Sequence, residues 1–294
     1  MPTDPTPIAG LELVRPEPRH VPALARLCFE AFKRIHERHG FPLDIPNVDL
    51  AAQIIGRFVA RTDFYGVAAQ VDGRLVGSNF MSAMDAIGGV GPITVDPAFD
   101  GRGIGRALMQ DVLDYARRNG RKQVRLLQDS FNLKSFSLYA SLGFDQRTPI
   151  GLMDAKPAVR PDPAVRPVSA SDLPRLDELT RRFYKCSRRG EISFLLNLNV
   201  PAFMREYGGR ITGYFIPGFL GHGVAETGDD ALALIGEAAR HVKPDLGLFF
   251  CPLIRGDFYR AALKSGHRLR KIMTYMTCGP FAPPEGIWMP SIGY

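Results

Sequence analysis

Cysteine is scarce in this chain of 294 residues: Cys28, Cys186, Cys251 and Cys278 stand far apart, with no C-x-x-C pair and no histidine at ligand spacing. That excludes a disulfide framework, and no metal site is expected. The cysteines are expected to be small buried hydrophobes in a reducing compartment. Long apolar runs are missing too. No stretch approaches the ~18 residues a membrane span requires, so no membrane partner is expected. The start, Met1-Pro2-Thr3-Asp4-Pro5-Thr6-Pro7, has neither a basic end nor an apolar run. Residues 1–10 are therefore expected to be a disordered lead rather than a signal peptide, and the protein to be cytoplasmic.

The chain also lacks a dense basic run with interleaved aromatics, although its formal charge is +7. Residues 1–150 hold 18 Lys and Arg against 16 Asp and Glu, a balance of +2, and the remainder holds 19 against 14, a balance of +5. Nucleic acid is not an expected partner. The sharpest cluster, Arg117, Arg118, Arg121, Lys122 and Arg125, closes a predicted helix, where cations complement the helix dipole.

What is present is enough chain for two domains, with 45% hydrophobic residues. Residues 156–167 are proline-dense and contain Pro-Ala-Val-Arg-Pro twice, which predicts an extended linker. Either side of it the chain repeats itself. Leu13-Val14-Arg15-Pro16 leads into Val21-Pro22-Ala23-Leu24, and Ala164-Val165-Arg166-Pro167 leads into Leu173-Pro174-Arg175-Leu176; Gly73-Arg74-Leu75-Val76-Gly77 is echoed by Gly209-Arg210-Ile211-Thr212-Gly213. Two copies of one fold, over 11–155 and 168–294, are the economical explanation.

In the first copy the patterning predicts a strand near 11–15, helices near 20–38 and 47–60, and strands over 64–71 and 74–82 turning at Asp72-Gly73. A strand over 87–95 then feeds a helix over 103–119, with Ile104, Ala107, Leu108, Val112 and Tyr115 on one face. A strand over 123–128, a helix over 133–142 and two short strands to about 154 complete it.

The join before the 103–119 helix carries the chemistry. Val95-Asp96-Pro97-Ala98-Phe99-Asp100-Gly101-Arg102-Gly103-Ile104-Gly105-Arg106 is a glycine-rich turn flanked by arginines. Glycine lets the main chain approach a ligand closely, and the first N–H groups of a helix point at an anion. The expected ligand is a phosphorylated cofactor. The G-x-G-x-x-G spacing of a dinucleotide fold and the Gly-Lys-Ser/Thr ending of a P-loop are both missing, which removes those readings.

The segment resembles the acyl-CoA pyrophosphate loop of the GNAT superfamily of N-acetyltransferases. A second segment agrees in order and spacing: Asn132 after the fifth strand, then Leu138-Tyr139-Ala140-Ser141-Leu142-Gly143-Phe144. The resemblance covers residues 12–154. It implies an α/β protein of two tandem GNAT-like domains, each a mixed, mostly antiparallel twisted sheet flanked by helices.

It also implies acetyl-CoA as co-substrate and a primary amine, on a small molecule or a peptide, as acceptor. The backbone of Ile93, Thr94 and Val95 would pair with the pantetheine arm, the N–H groups of Gly101, Arg102, Gly103, Ile104, Gly105 and Arg106 would hold the pyrophosphate, and Asn132 would bind the cofactor or cap its helix. Tyr139 would protonate the departing thiolate, because a phenol is protonated at neutral pH and comparable in strength to a thiol. A non-catalytic acyl-CoA or small-ligand binding protein on the same scaffold is the alternative.

Two departures from the family pattern stand out. Asp100 replaces the usual Gln or Arg, and is unfavourable near a diphosphate unless its side chain turns outward to cap the helix. No carboxylate lies on the fourth strand, so Asp129, Asp85, Glu30, water, or the terminal carboxylate of Tyr294 remain as bases. Acceptor contacts are expected from Glu30, His36, Phe41 and Asp129, with His36 and His39 read as a solvated helix end rather than a metal pair. In the second copy the glycine loop is replaced by Val224-Ala225-Glu226-Thr227-Gly228-Asp229-Asp230-Ala231-Leu232, and Ala262 stands at the Tyr139 position. This copy is expected to be degenerate and without its own chemistry. A homodimer is compatible with the sequence.

Overall fold

Apolar side chains at helical spacing on residues 21–39 and 48–60 bury Leu24, Ala25 and Cys28 on the first helix and Ala51, Ile55 and Phe58 on the second. The computed structural model describes residues 9–293, and so most of the expected lead and Tyr294 lie outside the described residues. Packing divides the chain into two units: one runs to Arg125 and includes Phe131–Phe144, and the other comprises Leu126–Ser130 and the chain from Asp145.

In the first unit, β1 (Leu11–Val14) is followed by α1 (Val21–His39), α2 (Val48–Ala60), β2 (Phe64–Val71), β3 (Arg74–Ser82) and β4 (Gly88–Val95). Antiparallel pairing runs β1-β2-β3-β4. Asp72 and Gly73 both have positive φ, at 49° and 79°, as a tight hairpin turn requires. Gly40 ends α1 in the left-handed region, and the Asn47 side chain caps α2 by accepting from Leu50 N at 2.8 Å. Next come α3 (Ile104–Arg118), β5 (Val124–Asp129), which crosses into the second unit, and α4 (Leu133–Ser141). Helix α3 buries Ile104, Leu108, Met109, Val112, Leu113 and Ala116. The expected face is rotated slightly, since Tyr115 is only half-buried and stacks on Tyr65 at 3.7 Å.

The second unit contains β6 (Asp145–Asp154), β7 (Val165–Pro167), α5 (Leu173–Phe183), α6 (Arg189–Leu196), β8 (Phe203–Tyr207), β9 (Arg210–Ile216), β10 (His222–Ala225), α7 (Gly228–Ala238), β11 (Leu248–Pro252), α8 (Gly256–Lys264), β12 (Arg268–Cys278) and β13 (Ile287–Met289). From β1 to β6 and from β7 to β12 the order is the same: strand, two helices, three strands, helix, strand, helix, strand. The fold is α/β with mixed, mostly antiparallel sheets, and the duplication seen in the sequence recurs element by element.

Three details differ from expectation. Residues 145–154 form one strand rather than two short ones, because β6 is hydrogen-bonded along its length to β12 and β11. Packing therefore groups β6 with the carboxy-terminal half, while the sequence repeat ends near residue 155. The last three linker residues are not a free spacer; they form β7, paired with β8. Finally, the strand order β5-β12-β6-β11 places the closing strand of each copy beside the fifth strand of the other.

None of the four cysteines forms a disulfide. Burial pushes the Cys28 and Cys251 thiols up to about 12, while Cys186 and Cys278 are only half-buried.

Buried histidines give the second unit a pH signature. His267 is 4% exposed, accepts from Lys156 N at 2.8 Å, and is held down to about 4 by burial and secondarily by the Lys156 charge. His222, fully buried and bonded to the Tyr214 hydroxyl at 2.7 Å, is held well below the usual imidazole range by burial and then by Arg188. A lowered folded-state value means stability present above about pH 6.5 and lost as pH falls toward 4. His267 alone contributes about 3 kcal/mol over that window. The melting temperature should fall steeply between pH 6.5 and 4.5, and His267→Gln should flatten the slope; a flat wild-type profile would contradict this.

Candidate functional site

The turn between β4 and α3 is shaped by side chains that hold it from outside. Asp96 accepts from Ala98 N at 2.9 Å and from Arg74 at 2.5 Å. Both Arg74 and Arg102 lie over the Phe99 ring, at 5.5 and 5.3 Å. Gly101 and Gly103 have φ of 76° and 84°, in the region that only glycine adopts without strain. Gly103 is the N-cap of α3 and offers no side chain to its first turn, whereas Asn47, Asn132 and Thr227 cap α2, α4 and α7. The opening amides of α3 thus carry the helix dipole without a side-chain cap.

Asp100 does not cap α3. It is half exposed, accepts from Gly101 N at 3.1 Å and forms an ion pair with Lys134. Lys134, two residues beyond Asn132, was not singled out in the sequence; nothing local marks a lysine as the partner of a residue 34 positions earlier. Arg102 is exposed, and Arg106 donates to Ser141 Oγ at 2.7 Å, tying α3 to the end of α4.

Strand β4 presents its other feature at the edge away from β3. Ile93, Thr94 and Val95 pair with Asn79, Ser78 and Gly77 of β3. Parallel pairing with β5 stops at Gly88↔Val124 and Gly89↔Arg125, so among the described residues the far edge of 93–95 has no strand partner. Main-chain donors and acceptors on such an edge accept an added strand.

Asn132 caps α4, its Oδ1 accepting from Ser135 N at 3.2 Å. Tyr139 lies one and a half turns inside α4, 5% exposed, with Phe144 6.1 Å away by ring centroids. Burial pushes its phenol up to about 12, opposed by a hydrogen bond with Ser135. It is therefore a protonated phenol throughout the neutral range.

The candidate acceptor residues do not all share one setting. His36 is not a solvated helix end: it is fully buried, with Nδ1 2.8 Å from Phe32 O and Nε2 3.3 Å from Asp44. Phe131, which sequence reasoning passed over, collects this region. Its ring stacks on Phe41 at 4.5 Å and on His39 at 5.0 Å and meets His36 edge-on at 5.6 Å. Packing, not solvation, accounts for His36, while Glu37, Arg38, His39 and Gly40 stay exposed as a solvated helix end. Glu30 is exposed and lines a separate open cleft with Arg26, Gln70, Arg74 and Asp96. Asp129, at the end of β5, is paired with Lys271 of β12 at 2.6 Å.

At the matching place in the second copy the helix start is filled from within. The Thr227 side chain accepts from Asp230 N at 3.1 Å, Asp230 is engaged by Arg205 and Thr212, and Glu226 by Arg182 and Arg210. The edge of β10, the counterpart of β4, is covered by β13: Gly223, Val224 and Ala225 pair with Met289, Trp288 and Ile287.

Residues 24–144 match the Acetyltransferase (GNAT) family. Mycothiol acetyltransferase of Thermomonospora curvata is 40% identical over 77 residues, 26% of this chain and 26% of that protein. The chain spans only 18 to 27% of the length of the curated relatives it matches. In fold, a Pyrococcus horikoshii protein described as a candidate acetyltransferase superposes with a TM-score of 0.77 at 14% identity, covering 96% of this chain and 94% of that one. A GCN5-related N-acetyltransferase from Sphaerobacter thermophilus superposes at 0.60 and 16% identity, covering 95% and 99%. The family match takes in β4, the glycine turn, α3 and α4, so that residues 24–144 are a GNAT acetyltransferase region, and the fold is shared with these solved structures along nearly the whole chain.

Proposed function

We propose that the first copy, residues 11–155, binds acetyl-CoA and transfers its acetyl group to a primary amine on a small molecule or peptide by direct attack. The observation that carries this reading is the uncapped start of α3, held open by two left-handed glycines beside exposed arginines. The diphosphate sits on amides 102–106, Gly101 N being engaged by Asp100, and the pantetheine arm adds as a strand along Ile93–Val95. An N–H of that strand polarises the thioester carbonyl. Amine attack forms the C–N bond, the C–S bond breaks, and Tyr139 gives its proton to the departing sulfur. Asn132 acts by fixing the start of the helix that carries Tyr139. His36, Phe41 and Phe131 form the packed wall of the acceptor side.

The second copy, residues 168–294, has no cofactor role in this proposal. Its loop is occupied by Thr227, Asp230 and Arg205, and its open strand edge by β13, so neither diphosphate nor pantetheine finds donors there. Calorimetry should give one CoA per chain, and thiol release from acetyl-CoA should depend on an added amine. No heat with CoA, or two sites per chain, would contradict the reading.

Lys134 offers a milder test. Removing it leaves Asp100 uncompensated beside the diphosphate, so Lys134→Ala should weaken CoA binding by about three- to fivefold, an effect that fades at high salt as expected for an exposed pair. Equal affinities at low ionic strength would rule out that compensation.

A further inference from the structure

Along the outside of the β4–α3 turn, the first half of α1 and the β2–β3 turn border an open cleft of about 640 Å³, all of it within the first unit. Small-molecule sites span roughly 300–1,000 Å³, so the size suits a compact metabolite. The apolar part of the lining is Ala23, Leu27, Leu75 and Pro97. Three polar side chains, Arg26, Glu30 and Gln70, share the cleft with them, and none has a hydrogen-bond or ion-pair partner among the described residues.

Arg26 and Glu30 lie one turn apart on the same face of α1, where opposite charges often meet. The order Arg then Glu is the weaker one, and the two do not pair, so both charges stay available. The other charged groups of the lining are already engaged. Arg74 donates to Asp96 at 2.5 Å, Asp96 also accepts from Ala98 N at 2.9 Å, and the ring nitrogens of His20 are met by Glu17 N and Arg19 Nε. Of the described lining residues, the unpaired charges are thus one cation and one carboxylate, beside an apolar patch. A phosphate would meet Glu30 and Asp96 as like charges, and a hydrocarbon would use neither charge. The complement is a molecule that carries a carboxylate, an ammonium and an apolar side chain.

We propose that the cleft binds an apolar α-amino acid as an effector, with its carboxylate on Arg26 and the unused donors of Arg74, its ammonium on Glu30, and its side chain against Leu27, Leu75 and Pro97. Arg74 ties the cleft to the turn. It holds Asp96, whose side chain caps Pro97–Phe99, and its guanidinium lies 5.5 Å over the Phe99 ring that Arg102 also covers. An amino acid bound to Arg74 restrains that turn, so a diphosphate that binds next has less left to order. The effector then raises CoA affinity, and CoA raises effector affinity by the same factor. Binding of the amino acid does not depend on acetyl transfer; its coupling to CoA rests on the reading that amides 102–106 receive the diphosphate.

Calorimetry on the full chain, with L-leucine, L-methionine and L-phenylalanine as probes, reads both effects. At least one of the three should bind at one per chain. Its amide, which lacks the carboxylate, and its N-acetyl form, which lacks the ammonium, should each bind about tenfold more weakly, because each loses a charge-assisted hydrogen bond. Arg26→Gln should weaken the amino acid to a similar degree while its melting temperature and its CoA Kd without amino acid stay at wild-type values, since this side chain is exposed and unpartnered. Saturating amino acid should lower the CoA Kd by about fivefold, saturating CoA should lower the amino acid Kd equally, and the amino acid should be recovered unmodified after incubation with acetyl-CoA. No binding by any of the three, equal binding of the amide or the N-acetyl form, or undiminished binding in Arg26→Gln would overturn the site. An unchanged CoA Kd would overturn the effector role, and so would acetylation of the amino acid, which would make it the acceptor. Amino acid binding to a protein that takes no CoA would overturn the acetyl-transfer reading and the effector role, and would leave the ligand of the cleft in place.

Discussion

Tyr139→Phe is expected to lower turnover by about 10²- to 10⁴-fold, the usual range for loss of a positioned proton donor, while CoA affinity stays within twofold. The substitution removes one oxygen from a residue that is 5% exposed and packed beside Phe144, so the core changes little. Its hydroxyl partner, Ser135, lies at the start of the same helix and can turn to solvent. The pH dependence has a definite sign. Burial raises the phenol to about 12, so the proton is present through the neutral and mildly alkaline range, and Tyr139 itself should produce no alkaline fall in rate below about pH 11. The same raised value implies stability that is complete below pH 10 and declines from there toward 12, because the unfolded chain ionises first. Thiol release by the wild type and Tyr139→Phe from pH 6 to 11, with their melting temperatures from pH 9 to 12, would check this. Unchanged turnover in Tyr139→Phe would remove the tyrosine from the reaction.

Gly103→Val is the second large effect expected. At φ 84° an L residue is strained by roughly 1–2 kcal/mol, more for a branched side chain, and relief requires the start of α3 to unwind. Those are the amides proposed to meet the diphosphate. CoA affinity should fall by tenfold or more, since 1.4 kcal/mol is tenfold, with a melting temperature only a few degrees lower. Gly105→Ala is the control: it sits in helical backbone, where an added Cβ meets the flexible end of Leu138 at 3.3 Å and Val95 Cγ2 at an ordinary 3.9 Å. The alanine should leave the fold intact, so a large drop in melting temperature there, or intact CoA binding in Gly103→Val, would contradict the loop assignment.

The elements named by periodicity lie close to where the chain forms them, and the reason is physical. A helix face, the Asp72-Gly73 turn and the Gly101-Gly103 loop depend on φ/ψ preferences and on neighbours a few residues away. The same holds for the Asn132 cap. His36 shows the limit of that logic. Next to Arg38 and His39, near the end of a helix, it looked solvated, yet Phe131 arrives from almost a hundred residues later and covers it. Asp100 shows the same limit in charge: beside the glycine loop it looked unfavourable, until Lys134 was found against it.

By itself the sequence carried the resemblance to the GNAT family, the internal repeat, the glycine loop with its arginines, and the acidic segment 224–232 in place of a second such loop, because each is written in short-range spacing or in the presence of a residue type. Only the tertiary structure decided that β12 lies between β5 and β6, that β13 covers β10, and that Lys271 meets Asp129. Every strand offers the same backbone donors and acceptors, and so the choice of partner depends on which faces remain to be buried once the rest of the chain has packed.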